Sequence, residues 1–334
     1  MAKDRINWDR VNAYMERSKT RAVLKPYGMP DITNPFTSAY ADVDVSPRWP
    51  ISEEVAISVA LTGGFFMTRH NPAQPISEQE IMEAGRACMR AGATALHIHV
   101  RNEAEWSILD LARFVTIIEP LRDEFEDLYV SAGEVAIGPD DWNEMIKISN
   151  SGLITGSPVN TTATFCGDTL FAKPPAVVIE KTRILMEAGV KPEIAVYTDA
   201  DVDNARRYLI ESGLLEEPLY WVVLPALPGG SPMHNPRQMI QGLTRIVDSI
   251  FDINPNSIIS VCAAGRPSVY LVTLAMLMGL HVRLGMEDTV WRYPHRDELI
   301  ASNLQQLQAV TAIAENLGRT PMSGARYREL LGVS

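Results

Sequence analysis

The chain has 334 residues, of which 46% are hydrophobic and 21% charged, and its formal net charge is -11. That length suits one large α/β barrel or two ordinary domains with a substantial core, and the acidic balance argues against a non-specific nucleic-acid binder without excluding an anionic substrate in a local basic pocket. Three widely spaced cysteines, Cys88, Cys166 and Cys262, exclude a disulfide framework and a CxxC zinc pattern, and Cys88 and Cys262 read as buried thiols.

The chain opens with Lys3, Asp4, Arg5, Asp9 and Arg10, with no apolar run behind them. This argues against a signal peptide or membrane anchor, and a reducing cytoplasmic setting is expected. Trp8, Val11 and Met15 lie at helical spacing and predict a charged helix over 7–24, followed by an aperiodic stretch from Pro26 to Pro50. Residues 1–52 therefore read as an N-terminal extension wrapping the surface or a neighbouring subunit, and residues 53–334 as the main domain.

From residue 54 short β-branched runs alternate with helical patterns. Strands are predicted at 55–61, 95–100, 128–131, 152–155, 193–197, 220–224, 258–262 and 281–286. Helices are predicted near 77–91, 108–125, 139–148, 174–188, 201–212, 236–250, 267–278 and 297–316. Ser77 and Glu80 form a capping-box pattern at the start of the first, and Gly189 and Gly279 end the fourth and the seventh. Eight β-α units in series predict a (β/α)8 TIM barrel. An open doubly wound sheet usually carries a GxGxxG turn after its first strand, and Thr62-Gly63-Gly64-Phe65 is not one.

In such a barrel the chemistry gathers where the strands end. His97 and His99 are two apart in a strand, so both rings share one face, and two neutral imidazoles are half of a divalent metal site. In 281–288 the odd positions share a face, which places Glu287 nearest the rim as a third ligand. Asp288 has the opposite parity and reaches the pocket only if the strand has ended. Beside Arg283 it is a candidate base, its carboxylate held ionised by the guanidinium. Plainer readings exist: a core histidine pair, an Arg283–Glu287 salt bridge, and His281 as a hydrogen-bonded core histidine. No serine nucleophile elbow is visible.

These segments resemble the β-keto acid cleavage enzymes, the family typified by the 3-keto-5-aminohexanoate cleavage enzyme. The resemblance runs from about Val55 to Gly332 and is carried by ALTGG (60–64), AGATALHIHVRN (91–102), VSAGE (130–134), LITGSPVN (153–160), AGVKPEIAVYTDAD (188–201), GLHVRLGMEDTVW (279–291) and SNLQQL (302–307). It implies a (β/α)8 barrel with a divalent metal, usually zinc (Zn2+), and transfer between a β-keto acid and acetyl-CoA that yields acetoacetate and a new acyl-CoA. By motif, His97, His99 and Glu287 are the metal ligands, and Asp288 and Arg283 the catalytic pair. Ser131, Thr155 and the backbone around Gly133 would hold the substrate. The family also implies a homo-oligomer, often a tetramer.

Three departures bear on the substrate. Phe65 stands where amino-substrate members carry an acidic residue, so a substrate with an apolar or aromatic distal end is expected rather than a free amine. An aromatic face can still hold a quaternary ammonium. Glu134 replaces a glycine after Ser131-Ala132-Gly133, and the loop Trp291-Arg292-Tyr293-Pro294-His295 reshapes the rim near the last strand. Arg266, Arg292 and Arg296 are candidates for the CoA phosphates. The rival readings are a metal-dependent Claisen-type lyase or aldolase that needs no acetyl-CoA, and a non-catalytic barrel with a structural zinc.

Overall fold

The computed structural model describes residues 6–18, 45–136 and 138–333. Residues 1–50 and 51–334 form two compact units. In the first, the described residues include the helix Trp8–Ser18. The remainder of the predicted 7–24 helix, and most of the aperiodic stretch, lie outside the described residues.

The second unit is a closed parallel barrel. Its strands are β1 (Ile57–Ala60), β2 (Ala95–Ile98), β3 (Tyr129–Ala132), β4 (Gly156–Asn160), β5 (Lys191–Val196), β6 (Tyr220–Val223), β7 (Ile258–Val261) and β8 (His281–Leu284). Between them run α1 (Glu78–Arg90), α2 (Leu111–Glu124), α3 (Pro139–Asn150), α4 (Pro175–Glu187), α5 (Asp199–Ala205), α6 (Pro236–Ile253) and α7 (Ser268–Leu277). After β8 come α8 (Asn303–Asn316) and α9 (Gly324–Leu331). The (β/α)8 expectation is met, with β8 pairing β1 to close the ring.

The barrel wall follows from alternation. Ile57, Val59, Leu96, Ile98, Val130, Ile194, Val196, Trp221, Val223, Val261, Val282 and Leu284 belong to one apolar layer with the helix faces, completely or almost completely buried. The opposite parity forms a smaller interior cluster with Ala95, Tyr129, Ala195, Tyr220, Cys262 and Tyr327. At the start of α1, Ser77 Oγ accepts from the Glu80 amide while Glu80 Oε2 accepts from that of Ser77. Both halves of the predicted capping box are therefore present.

Some boundaries differ. The fourth strand is Gly156–Asn160, not 152–155. Leu153 and Ile154 are buried but only lead into the strand, after a turn at Gly152 with φ 75°. The apolar pair imitates a strand, while the true strand, GSPVN, lacks an apolar run. The eighth helix begins at Asn303 rather than 297, and an antiparallel hairpin, Ala163–Cys166 with Thr169–Ala172, follows β4 where none was foreseen.

His281 is a core histidine: its Nδ1 accepts the Ala56 amide at 3.0 Å. Burial, and then the Arg319 guanidinium, push its pKa down to about 4. A neutral ring is thus required in the fold, whereas the unfolded chain takes up a proton near pH 6.5. Its stabilisation is complete above about pH 6.5 and is lost as pH falls towards 4, by about 3 kcal/mol at most. The stability difference between wild type and His281→Asn, from urea titrations, is expected to shrink between pH 7 and pH 4.5. An unchanged difference would refute the assignment.

Candidate active site

The C-terminal ends of β2 and β8 bring five side chains together. The β2 ladder stops at Ile98, and Val100–Arg101 turns away to pair antiparallel with Ser107–Ile108. His97 and His99 nonetheless stay on one side, their ring centroids 5.1 Å apart. His99 Nδ1 lies 3.1 Å from Ser107 Oγ, which ties the second ring to the outer hairpin.

β8 ends at Leu284, and Gly285 turns the chain at φ 147° with no room for a Cβ, which would lie 2.0 Å from the Ala60 carbonyl oxygen. Only glycine adopts this backbone readily. The turn answers the parity problem: past the strand end, Glu287 and Asp288 both reach Arg283. Arg283 Nη2 donates to Glu287 Oε1 and to Asp288 Oδ1, each at 2.7 Å, and Nε reaches Asp288 Oδ2 at 3.3 Å.

Glu287 also approaches the histidines, with Oε2 3.2 Å from His97 Nε2 and Oε1 3.6 Å from His99 Nε2. Burial, with Arg283 adding to it against the pull of Glu287, pushes the His97 pKa down to about 4, so the ring is neutral near pH 7 and the short approach is not an ion pair. Burial disfavours charge on Glu287, but the Arg283 guanidinium outweighs it and holds the carboxyl well below its usual range. Glu287 Oε2 is buried and accepts no hydrogen bond. A carboxylate oxygen without a donor, facing the Nε2 of a neutral His97 and with the His99 ring beside it, suits a divalent cation; one ligand atom from each of the three residues lies within 4.8 Å of the others.

Asp288 differs from the sequence expectation. Burial and the Glu287 carboxylate raise it, against the pull of Arg283, to about 6. One guanidinium serves two carboxylates, so Asp288 is not held low by its own arginine.

The other candidates are placed unequally. Ser131 joins the cluster from β3, its Oγ 2.8 Å from His97 Nδ1 and donating to Glu193 Oε2 at 2.7 Å. Gly133 lies against the His99 ring, where a Cβ would fall 1.9 Å from Nε2, and its amide is already given to Ile98 O. Phe65 follows the β1 end and is 61% exposed. Thr155 does not join the cluster: it lies one residue before Gly156, the start of β4, with Oγ near Arg122 Nη2 (3.5 Å) and the Val130 amide (3.4 Å). Glu134 is buried and turned to α3 and α4, with Ser149 Oγ donating to Oε1 and Lys181 to its carbonyl. Arg266 and Arg292 are paired with Asp297 and Glu298, while Arg296 lies over the Tyr293 ring.

Sequence reasoning missed Glu193. It is buried on β5 and also accepts from the Tyr129 hydroxyl at 2.9 Å. Burial raises its pKa, while Ser131 and Tyr129 act the other way. An acid inside Pro192-Glu193-Ile194-Ala195-Val196 was the available signal. Gly133→Ala is expected to weaken divalent-cation binding at least about 10-fold by displacing His99, the size of effect seen when a ligand's support is lost. Cobalt titration followed by absorbance would read this.

The description beta-keto acid cleavage enzyme belongs to the family model that matches residues 54–333. The chain is 29% identical over 283 residues to the 3-keto-5-aminohexanoate cleavage enzyme of Fusobacterium nucleatum, covering 84% of this chain and 98% of that protein. It is 26% identical over 287 residues to the 3-oxoadipate:acetyl-CoA acetyltransferase of Cupriavidus necator, covering 85% of this chain and 96% of that one. Among solved structures, apo ObcA matches with a TM-score of 0.66 at 18% identity, over 78% of this chain and 66% of its own, a likeness of fold.

Proposed function

The chain belongs to the β-keto acid cleavage enzyme family, and on that footing we propose that it is a metal-dependent acyltransferase exchanging acyl groups between a β-keto acid and acetyl-CoA. The observation that carries this reading is the arrangement at the barrel mouth: two histidines and Glu287 beside an Arg283–Asp288 pair. His97, His99 and Glu287 would hold a divalent cation, zinc suiting two imidazoles and a carboxylate, and the cation would stabilise negative charge developing on the substrate's keto oxygen.

Asp288 is the base. Ionised at neutral pH and clamped by Arg283, it takes the proton from the carbon between the keto and carboxylate groups. The carbanion adds to the thioester carbonyl of acetyl-CoA, CoA passes to the original keto carbon, and the bond between that carbon and the former α-carbon breaks. The proton held by Asp288 returns to the departing enolate, which leaves as acetoacetate, and the remainder leaves as a new acyl-CoA. Arg283 keeps Asp288 aimed while its charge changes.

Phe65 provides no carboxylate for a substrate ammonium, so the preferred β-keto acid has an apolar or aromatic distal end. The test is a panel of β-keto acids with and without acetyl-CoA in the presence of zinc, with acetoacetate and acyl-CoA read by mass spectrometry. Clear preference for an amino β-keto acid would refute the substrate reading. Consumption without acetyl-CoA would point instead to a lyase or aldolase. The same preparation, by light scattering, tests the tetramer that belongs to this reading.

A further inference from the structure

We propose that Glu193, acting through Ser131, is a positioning residue that holds His97 as its Nδ1–H tautomer and so leaves Nε2 free to bind a cation. The inference rests on the metal-dependent reading above but concerns a different link, the proton on a ring.

Glu193 has two carboxylate oxygens and each accepts a hydroxyl: Oε1 from Tyr129 at 2.9 Å, Oε2 from Ser131 at 2.7 Å. A serine hydroxyl has one proton, and here it is spent on Glu193. Only lone pairs remain on Ser131 Oγ for His97 Nδ1 at 2.8 Å. With Glu193 ionised, the ring therefore carries its proton on Nδ1. Its Nε2 lone pair then faces the donor-less Oε2 of Glu287 at 3.2 Å. Two lone pairs at that distance repel, and a cation between them converts the repulsion into two bonds. Partners of this kind behind a metal-bound imidazole set both its tautomer and its orientation.

The sequence builds the relay across three strands. His97 on β2 is the register partner of Ser131 on β3, and Ser131 that of Gly156 on β4. Glu193 sits on β5, the next strand round. Its reach back to β3 passes over Gly156, where a Cβ would lie 2.5 Å from Glu193 Oε1 and 2.1 Å from the Tyr129 hydroxyl. The glycine of Thr155-Gly156-Ser157 thus opens the path.

Glutamine at 193 offers one acceptor and one amide donor, so it cannot accept from both hydroxyls. The test measures zinc affinity by chelator competition, and the His97 tautomer by long-range 15N–1H NMR of metal-free, histidine-labelled protein, with the signal assigned by its loss in His97→Gln. Wild type should show Nδ1–H. Glu193→Gln and Ser131→Ala should each weaken zinc binding by about 10–100-fold, with Glu193→Gln raising the Nε2–H population and Ser131→Thr restoring wild-type behaviour. A purely structural role for Glu193 would not move the tautomer. Zinc affinity within two-fold of wild type in both variants, or Nδ1–H unchanged in Glu193→Gln, would overturn the proposal. Wild type that binds no zinc would instead defeat the metal-dependent reading, and the tautomer could still be read.

Discussion

Replacing Asp288 with asparagine is expected to lower kcat by about 10²–10⁴-fold, the span typical of a lost general base, with bound metal retained. Asp288 is nearly isosteric with asparagine and already receives Arg283 Nη2 at 2.7 Å. The variant therefore keeps one hydrogen bond to the guanidinium and the shape of the turn, but loses the oxygen that accepts the α-proton. The asparagine side chain cannot take up that proton at any useful pH, so raising the pH should not rescue the reaction. Hydrogen–deuterium exchange at the α-carbon of the β-keto acid, in the absence of acetyl-CoA, isolates the step. Wild type should exchange and Asp288→Asn should not. Full turnover with metal bound would exclude Asp288 as the base.

Glu287→Gln is expected to weaken zinc binding by more than about 100-fold, since losing even the groups behind a ligand costs about 10–100-fold, and to abolish turnover in parallel. The substitution removes the anionic ligand and puts an amide N–H donor where Oε2 now has no donor. The amide's carbonyl oxygen, left at the Oε1 position, still accepts from Arg283 Nη2. The fold should survive, because Glu287 lies beyond the β8 ladder, which ends at Leu284. Metal content after dialysis, together with circular dichroism, checks both halves of the expectation. One zinc per chain and wild-type turnover in the variant would refute the ligand assignment.

The alternation of apolar runs and helical patterns made the barrel legible, because each strand of a closed parallel sheet is apolar on its outer face whatever it carries inside. The His97–His99 pair was legible for the same reason: spacing in a strand fixes a shared face. Glu287 was reached by parity, yet the strand stops three residues before it, and the turn at Gly285 delivers it together with Asp288. Thr155 was expected to close a strand because Leu153 and Ile154 imitate one four residues early, whereas it stands just before β4 begins. Glu193 escaped because its partners lie 62 and 64 positions away in the chain, and only the register of β3, β4 and β5 brings them within reach. Local pattern records which way a residue faces, but not what it meets across the barrel.

Gly133 leaves no space beside His99, and Gly63 leaves none beside Glu287, whose Cγ would lie 2.3 Å from a Cβ at that position. These two missing methyl groups set a boundary on divergence. Beside these side chains, positions 63 and 133 have no room for a larger residue, so variation there would displace Glu287 or His99. Two residues beyond Gly63, the exposed Phe65 carries no such restriction. On the proposed reading, chemistry and selectivity are thereby separated within the three residues Gly63 to Phe65, so what is accepted can change while the reacting apparatus stays fixed.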